Sequence, residues 1–293
     1  MRISISELAT VRARNPEAIA AAAAARTRRP ALVGDSGRLM IVAADHPARG
    51  ALSVGGRRLA MADRADLLER LCRALARPGV DGVLGTADIL EDLLLLGALE
   101  GKTAIGSMNR GGLAGATFEL DDRFTGYRPQ DIQRLRLDAG KLLLRIDHTD
   151  EGSLRTLYST ARAIDDMAER RLPVFVEPFL SRRVAGKLTS DLSAAAVTTS
   201  LSIASGLGGT SAYTWLKVPV TADPEEMAQV MASSTLPAVL LGGDVDGDQE
   251  GTYERWREAL RLPTVQGLVA GRSLLYPVDG KVEEAVDTAV GLL

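Results

Sequence analysis

The chain has 293 residues, 46% hydrophobic and 25% charged, the balance of an ordinary globular protein. Its net charge of −3 argues against a general nucleic-acid binder, which would present a basic face. No apolar stretch reaches the length of a membrane span, the single cysteine, Cys72, excludes an internal disulfide, and two histidines argue against a His-rich zinc site. Residues 1–10 lack a basic start followed by an apolar run, so the reading is a cytoplasmic protein without a secretory signal or a membrane partner.

Residues 3–26 read as a helical N-terminal extension, Ala-rich in its second half, and the extension is taken to residue 36. Within it, Asn15-Pro16-Glu17 fits a helix start, with proline early and an acid near the positive end. An alternation follows. Residues 39–45 (LMIVAAD) form the first predicted strand, and 60–76 a helix stopped by Arg77-Pro78-Gly79. Residues 81–85 form a second strand, 87–99 a helix and 103–107 a third strand. The Gly-rich, polar stretch 109–127 is read as a long functional loop. Residues 141–146 (KLLLRI) form a fourth strand before a helix at 151–170. Residues 173–177 (PVFVE) form a fifth before a helix at 191–206, and 213–218 (YTWLKV) a sixth before a helix opened by Asp223-Pro224-Glu225-Glu226. Residues 238–241 form a seventh before a helix at 252–261, and 265–270 an eighth, with 281–292 closing as a helix.

Eight strands alternating with helices predict parallel βαβ units, and eight in this length is the arithmetic of an α/β (β/α)8 TIM barrel. A doubly wound open sheet also alternates, but the count favours the barrel. No low-complexity linker divides the chain, so residues 1–293 read as one domain.

In such barrels the active site lies at the C-terminal ends of the strands. The polar residues there are Asp45 and His46 after strand one, Asn109 and Arg110 after three, Arg145 and Asp147 at four, Glu177 at five and Lys217 at six. Gly242-Gly243 follow strand seven, and Gly271-Arg272 follow strand eight. The chain has five lysines against thirty arginines, so each lysine merits inspection.

Side chains alternate along a strand. In TWLKV the apolar Leu216 and Val218 suit the helix side, which turns Lys217 into the barrel. Lost hydration lowers the pKa of an inward lysine, and a neutral amine can attack a carbonyl to form an imine. An inward lysine can equally serve as a structural partner of a buried carboxylate, and the residues alone leave both readings open. In KLLLRID the same rule turns Lys141 inward, where a second cation would depress Lys217 further; the alternative is that Lys141 opens the strand at the solvated floor. Glu177 and Asp45 each read as a proton-shuttling carboxyl group or an ion-pair partner, Glu177 of Arg145 or Lys217. His46 reads as a hydrogen-bonding residue of the mouth and His148 as a loop residue. Gly242, Gly243 and Gly271 let backbone N–H groups approach an anion, and Arg272 adds a charge-assisted contact, as in a phosphate site.

Five segments carry a family resemblance: AADHPARG (43–50), KLLLRID (141–147), FVEP (175–178), LKVPV (216–220) and GLVAGR (267–272). In order and strand position they resemble the Schiff-base (class I) aldolases, including tagatose-bisphosphate aldolase, archaeal-type fructose-bisphosphate aldolases and deoxyribose-phosphate aldolase. The resemblance implies the imine-forming role for Lys217, a second active-site lysine at Lys141, the acid/base role for Glu177, the strand-one aspartate role for Asp45 and the phosphate turn at Gly271 and Arg272. It extends substrate contacts to Arg110, Arg145 and His46. It implies a phosphorylated sugar substrate, no metal and no cofactor, and a homo-oligomer, since such barrels commonly associate. The Asp-His-Pro form and the Asn109-Arg110-Gly111-Gly112 loop differ from the tagatose enzymes. The Asp-His-Pro form resembles aldolases associated with myo-inositol breakdown. That implies cleavage of 6-phospho-5-dehydro-2-deoxygluconate to dihydroxyacetone phosphate and malonate semialdehyde. An aldolase acting on tagatose or fructose bisphosphate, another sugar-phosphate chemistry on the same scaffold and a non-catalytic sugar-phosphate sensor are the competing readings.

Overall fold

The computed structural model describes residues 3–34, 36–243 and 248–293. Eight parallel strands close into a barrel with flanking helices, a (β/α)8 TIM barrel. The strands are β1 (Leu39–Ala43), β2 (Gly82–Gly85), β3 (Thr103–Ser107), β4 (Ala139–Ile146), β5 (Val174–Val184), β7 (Thr214–Val218), β8 (Ala238–Leu241) and β9 (Val265–Ala270), and β9 pairs back onto β1. A further short strand, β6 (Lys187–Ser190), stands outside the barrel.

The alternation of side chains builds two apolar layers. Leu39, Ile41, Ile105, Phe175, Val239 and Val269 fill the barrel interior, where Phe175 and Trp215 stack with ring centroids 5.4 Å apart. Met40, Val42, Leu142, Leu144, Val176, Leu216, Val218 and Leu240 face outward into the layer shared with the helices. Strand packing is close where β9 meets β1. Gly267 has a φ of 149°, and a Cβ there would lie 1.9 Å from the Leu39 carbonyl oxygen, so no larger residue fits.

Helices α1 (Leu8–Arg14) and α2 (Ala18–Ala25) form the N-terminal extension. The Asn15-Pro16-Glu17 triplet separates them, with Asn15 as the C-cap of α1 and Glu17 as the N-cap of α2. The buried Arg26 donates to the Lys102 carbonyl at 2.7 Å and pairs with Asp138 at 3.2 Å, holding the extension to the bottom of β3 and β4. Leu32 then packs against the interior cluster. Around the barrel run α3 (Arg64–Leu75), α4 (Ala87–Leu95), α5 (Pro129–Arg134), α6 (Gly152–Glu169), α7 (Ala194–Ser205), α8 (Pro224–Ala232), α9 (Gln249–Ala259), α10 (Arg272–Leu275) and α11 (Val282–Val290). Helix α3 starts at Arg64 rather than at residue 60 because Asp63 caps it, accepting from the Asp66 amide at 3.1 Å. No helix among the described residues is long and apolar enough to cross a membrane.

Two elements depart from the sequence reading. The fifth strand continues past Glu177 to Val184 and turns back antiparallel into β6. The turn residues Ala185 and Gly186 have φ of 48° and 79°, the left-handed pair that a two-residue hairpin needs. Within the stretch after strand three, a six-residue helix, α5, follows the irregular segment 109–127, with Pro129 in its first turn.

Candidate active site

The inner faces of the strands deliver a line of charge to the barrel mouth. Lys217 on β7 donates to Glu177 Oε1 on β5. Lys141 on β4 lies 2.5 Å from Glu177 Oε2 and 3.2 Å from Asp45 Oδ2 after β1. Asp45 Oδ2 also pairs with Arg110 past β3 and accepts from Ser107 Oγ at 3.2 Å. The chain Arg110–Asp45–Lys141–Glu177–Lys217 thus links β1, β3, β4, β5 and β7. Each group is almost wholly buried, Lys141 to 1% exposure and Lys217 to 6%. Isolated, any one of these charges would cost several kcal/mol to desolvate, so alternation of sign is what makes the set tolerable. Lys141 lies inside β4 at 1% exposure, which removes the reading of a solvated strand start.

Both lysines are held below the usual range. For Lys217 burial is the main cause; Glu177 opposes it, and the Arg110 and Arg272 guanidiniums add to the depression. Lys141 is depressed well below its usual value by burial first and by Arg110, with Lys217 contributing. Glu177 is held below the carboxylate range because the attraction of Lys141 and Lys217 outweighs its burial. It is an anion, able to accept a proton.

Lys217 is paired, yet it also faces open space. It lines a cavity of about 500 Å³ with Asp45, His46, Arg110, Arg145, Glu177, Gly242, Gly243, Gly271 and Arg272. The structure therefore gathers most of the sequence-predicted mouth residues around one hollow. A neutral amine there can reach a bound carbonyl carbon.

Three features of the wall escaped the sequence reading. Arg49, in the 3-10 turn Pro47–Arg49, lines the cavity and pairs with Asp122 at 2.6 Å and Glu119 at 3.5 Å. Glu119 also pairs with Arg145 at 2.7 Å, so Arg145 is held by the 109–127 loop and not by Glu177. Burial and the neighbouring Arg49 push Arg145 down to about 10. The third feature is the β5–β6 hairpin, which brings Phe179, Leu188 and Ser190 to the cavity. Its Arg183 donates to the Thr117 carbonyl at 2.8 Å, tying the hairpin to the same loop.

Two polar strand-end residues are structural instead. Asn109 donates to the Leu143 carbonyl at 2.6 Å and accepts from the Leu143 amide at 2.7 Å, stitching β3 to β4. Asp147 accepts from the Thr149 amide at 2.9 Å and hydroxyl at 2.7 Å, shaping the turn into α6. His148 is exposed on that turn. Gly271 opens α10, and a Cβ there would lie 2.2 Å from the Ala43 carbonyl oxygen. Gly243 has a φ of 67°, a left-handed conformation that favours glycine.

The ring order sets the layout of the cavity. Arg145 ends β4 and Arg272 follows β9, and these strands stand on opposite sides of the barrel with β7 and Lys217 midway. A ligand with an anion at each end would cross the amine. Among the described residues, no group of three or more His, Cys, Asp or Glu side chains is arranged to hold a metal ion.

Comparison with known proteins places this geometry. An archaeal fructose-1,6-bisphosphate aldolase, solved with its catalytic lysine covalently bound to the carbinolamine intermediate of the substrate, is 20% identical with a TM-score of 0.67 over 89% of this chain and 94% of that one. The fructose-bisphosphate aldolase of Slackia heliotrinireducens is 14% identical with a TM-score of 0.63 over 98% of this chain and 86% of that one. At such identities the likeness is one of fold, the (β/α)8 barrel. No curated protein matches the chain. The crystal structure of Cgl0159 from Corynebacterium glutamicum is 51% identical, with a TM-score of 0.94 over 99% of this chain and 97% of that one. Residues 37–290 match the family described as Cgl0159-like, and the chain belongs to that family.

Proposed function

We propose that this protein is a class I aldolase that cleaves a phosphorylated keto-sugar acid through an imine on Lys217. The observation that carries the reading is a buried lysine of depressed pKa on the wall of a 500 Å³ cavity, midway between Arg145 and Arg272. Structural neighbours that are Schiff-base aldolases share the barrel, which supports the same reading.

The neutral Lys217 amine attacks the substrate ketone, and loss of water gives an iminium. The iminium draws in the electron pair of the carbon–carbon bond one carbon away. As that bond breaks, the hydroxyl on the departing carbon gives its proton to the Glu177 carboxylate and becomes an aldehyde. The enamine left on Lys217 takes a proton at carbon, and water hydrolyses the imine to free the ketone product. Asp45 supports Glu177 by holding Lys141, which donates to both carboxylates. Gly242, Gly243, Gly271 and Arg272 take the phosphate, and Arg110 lines the cavity near Asp45.

At the opposite end, Arg49 and Arg145 are already balanced by Glu119 and Asp122. A carboxylate monoanion suits such a charge-balanced pair better than a phosphate dianion does. This favours 6-phospho-5-dehydro-2-deoxygluconate, cleaved to dihydroxyacetone phosphate and malonate semialdehyde, over fructose or tagatose bisphosphate. The test is release of dihydroxyacetone phosphate from the three substrates. The keto-sugar acid should be the best by kcat/KM, and Arg145→Gln should raise its KM about 10- to 100-fold, the range for a lost charged hydrogen bond. A higher kcat/KM with either bisphosphate would overturn the substrate assignment, and no product from any of the three would count against the enzyme reading.

A further inference from the structure

His46 sits at the start of the turn that follows β1, and it lines the cavity with a partly buried side chain. Among the described residues its buried Nδ1 has no hydrogen-bond partner, and Asp45 Oδ1 is 3.9 Å away. Buried polar atoms are rarely left so. Among the described residues, the charged groups acting on the ring are Arg272, Lys217, Glu177 and Lys141, besides Asp45. Burial and the cations Arg272 and Lys217 push the imidazole down to about 3, so it is neutral at physiological pH. A neutral ring carries one N–H and one lone pair, and in either tautomer Nδ1 lacks a partner among the described residues.

The ligand group that satisfies either tautomer is a hydroxyl, which both donates and accepts; a phosphate dianion only accepts. The placement narrows the choice. β1 neighbours β9, so His46 stands on the Arg272 side of the mouth, towards the phosphate half of the substrate. In a three-carbon ketone phosphate, one carbon carries the phosphate ester and the next becomes the imine. The remaining carbon, which becomes the enamine, bears the one hydroxyl. We propose that His46 reads that hydroxyl through Nδ1 and so selects hydroxylated ketone phosphates over their deoxy counterparts. This rests on the imine reading of Lys217.

The test compares dihydroxyacetone phosphate with hydroxyacetone phosphate, which lacks only that hydroxyl. Each is trapped on the full-length protein with borohydride over a range of concentrations, for wild type, His46→Ala and His46→Gln. His46 makes no side-chain capping bond at the start of its turn. His46→Ala should raise the half-saturating concentration of dihydroxyacetone phosphate about 3- to 10-fold, the scale of one neutral hydrogen bond. It should leave hydroxyacetone phosphate within about twofold, and His46→Gln, whose amide also donates and accepts, should restore most of the loss. An equal loss for both ligands, or a loss for neither, overturns the assignment while the imine reading stands. Absence of any adduct on the wild-type protein removes both.

Discussion

Lys217→Met is expected to lower turnover by at least about 10⁴-fold, the scale on which removal of a covalent nucleophile acts, with the fold intact. Methionine follows the lysine stem in length and places no charge in a site that is 6% exposed. Removing one partner of a buried pair is normally destabilising by about 3–5 kcal/mol, because the other charge is left alone. Here Glu177 keeps Lys141 at 2.5 Å. The desolvation of one ammonium is relieved at the same time, so the thermal midpoint should hold or rise. Steady-state kinetics and a melting curve on the same preparation check both halves. Turnover within tenfold of wild type would rule out the imine at this residue, whereas a collapsed melting transition would show Lys217 to be a structural ion-pair partner.

Glu177→Gln should lower kcat by about 10²- to 10⁴-fold, the span attributed to a positioned general base. Its second effect has a definite sign. The Glu177 carboxylate raises the Lys217 pKa against the depression caused by burial, Arg110 and Arg272. Without that negative charge the amine is depressed further, and a larger fraction is neutral at a given pH. Imine formation depends on the neutral amine, so its rate climbs with pH up to the lysine pKa. In Glu177→Gln the rising limb should therefore move to lower pH even as turnover falls. Single-turnover imine trapping against pH measures it. A limb that moves to higher pH would contradict the electrostatic account of this pair.

The barrel and the buried line of charge were legible because both depend on alternation. Leu216 and Val218 mark the helix side of their strand, which leaves Lys217 facing inward, and the same two-residue period sets Lys141 and Glu177. The mouth was only partly legible, because its partners lie far apart in sequence. Arg49 reaches Asp122 across 73 positions and Arg145 reaches Glu119 across 26, through an irregular loop with no period to follow. Asn109 and Asp147 look like mouth residues in a sequence, since a strand-end position does not reveal whether a side chain turns to the cavity or to its own backbone. The hairpin was hidden by a turn built on Ala185 and Gly186, where alanine gives little sign of a positive φ.

Imine formation on Lys217 is read by mass spectrometry of the protein after incubation with dihydroxyacetone phosphate and borohydride. One reduced adduct is expected, located on the peptide that contains Lys217 and absent from Lys217→Met. An adduct on Lys141, or a wild-type protein that stays unmodified, would contradict it.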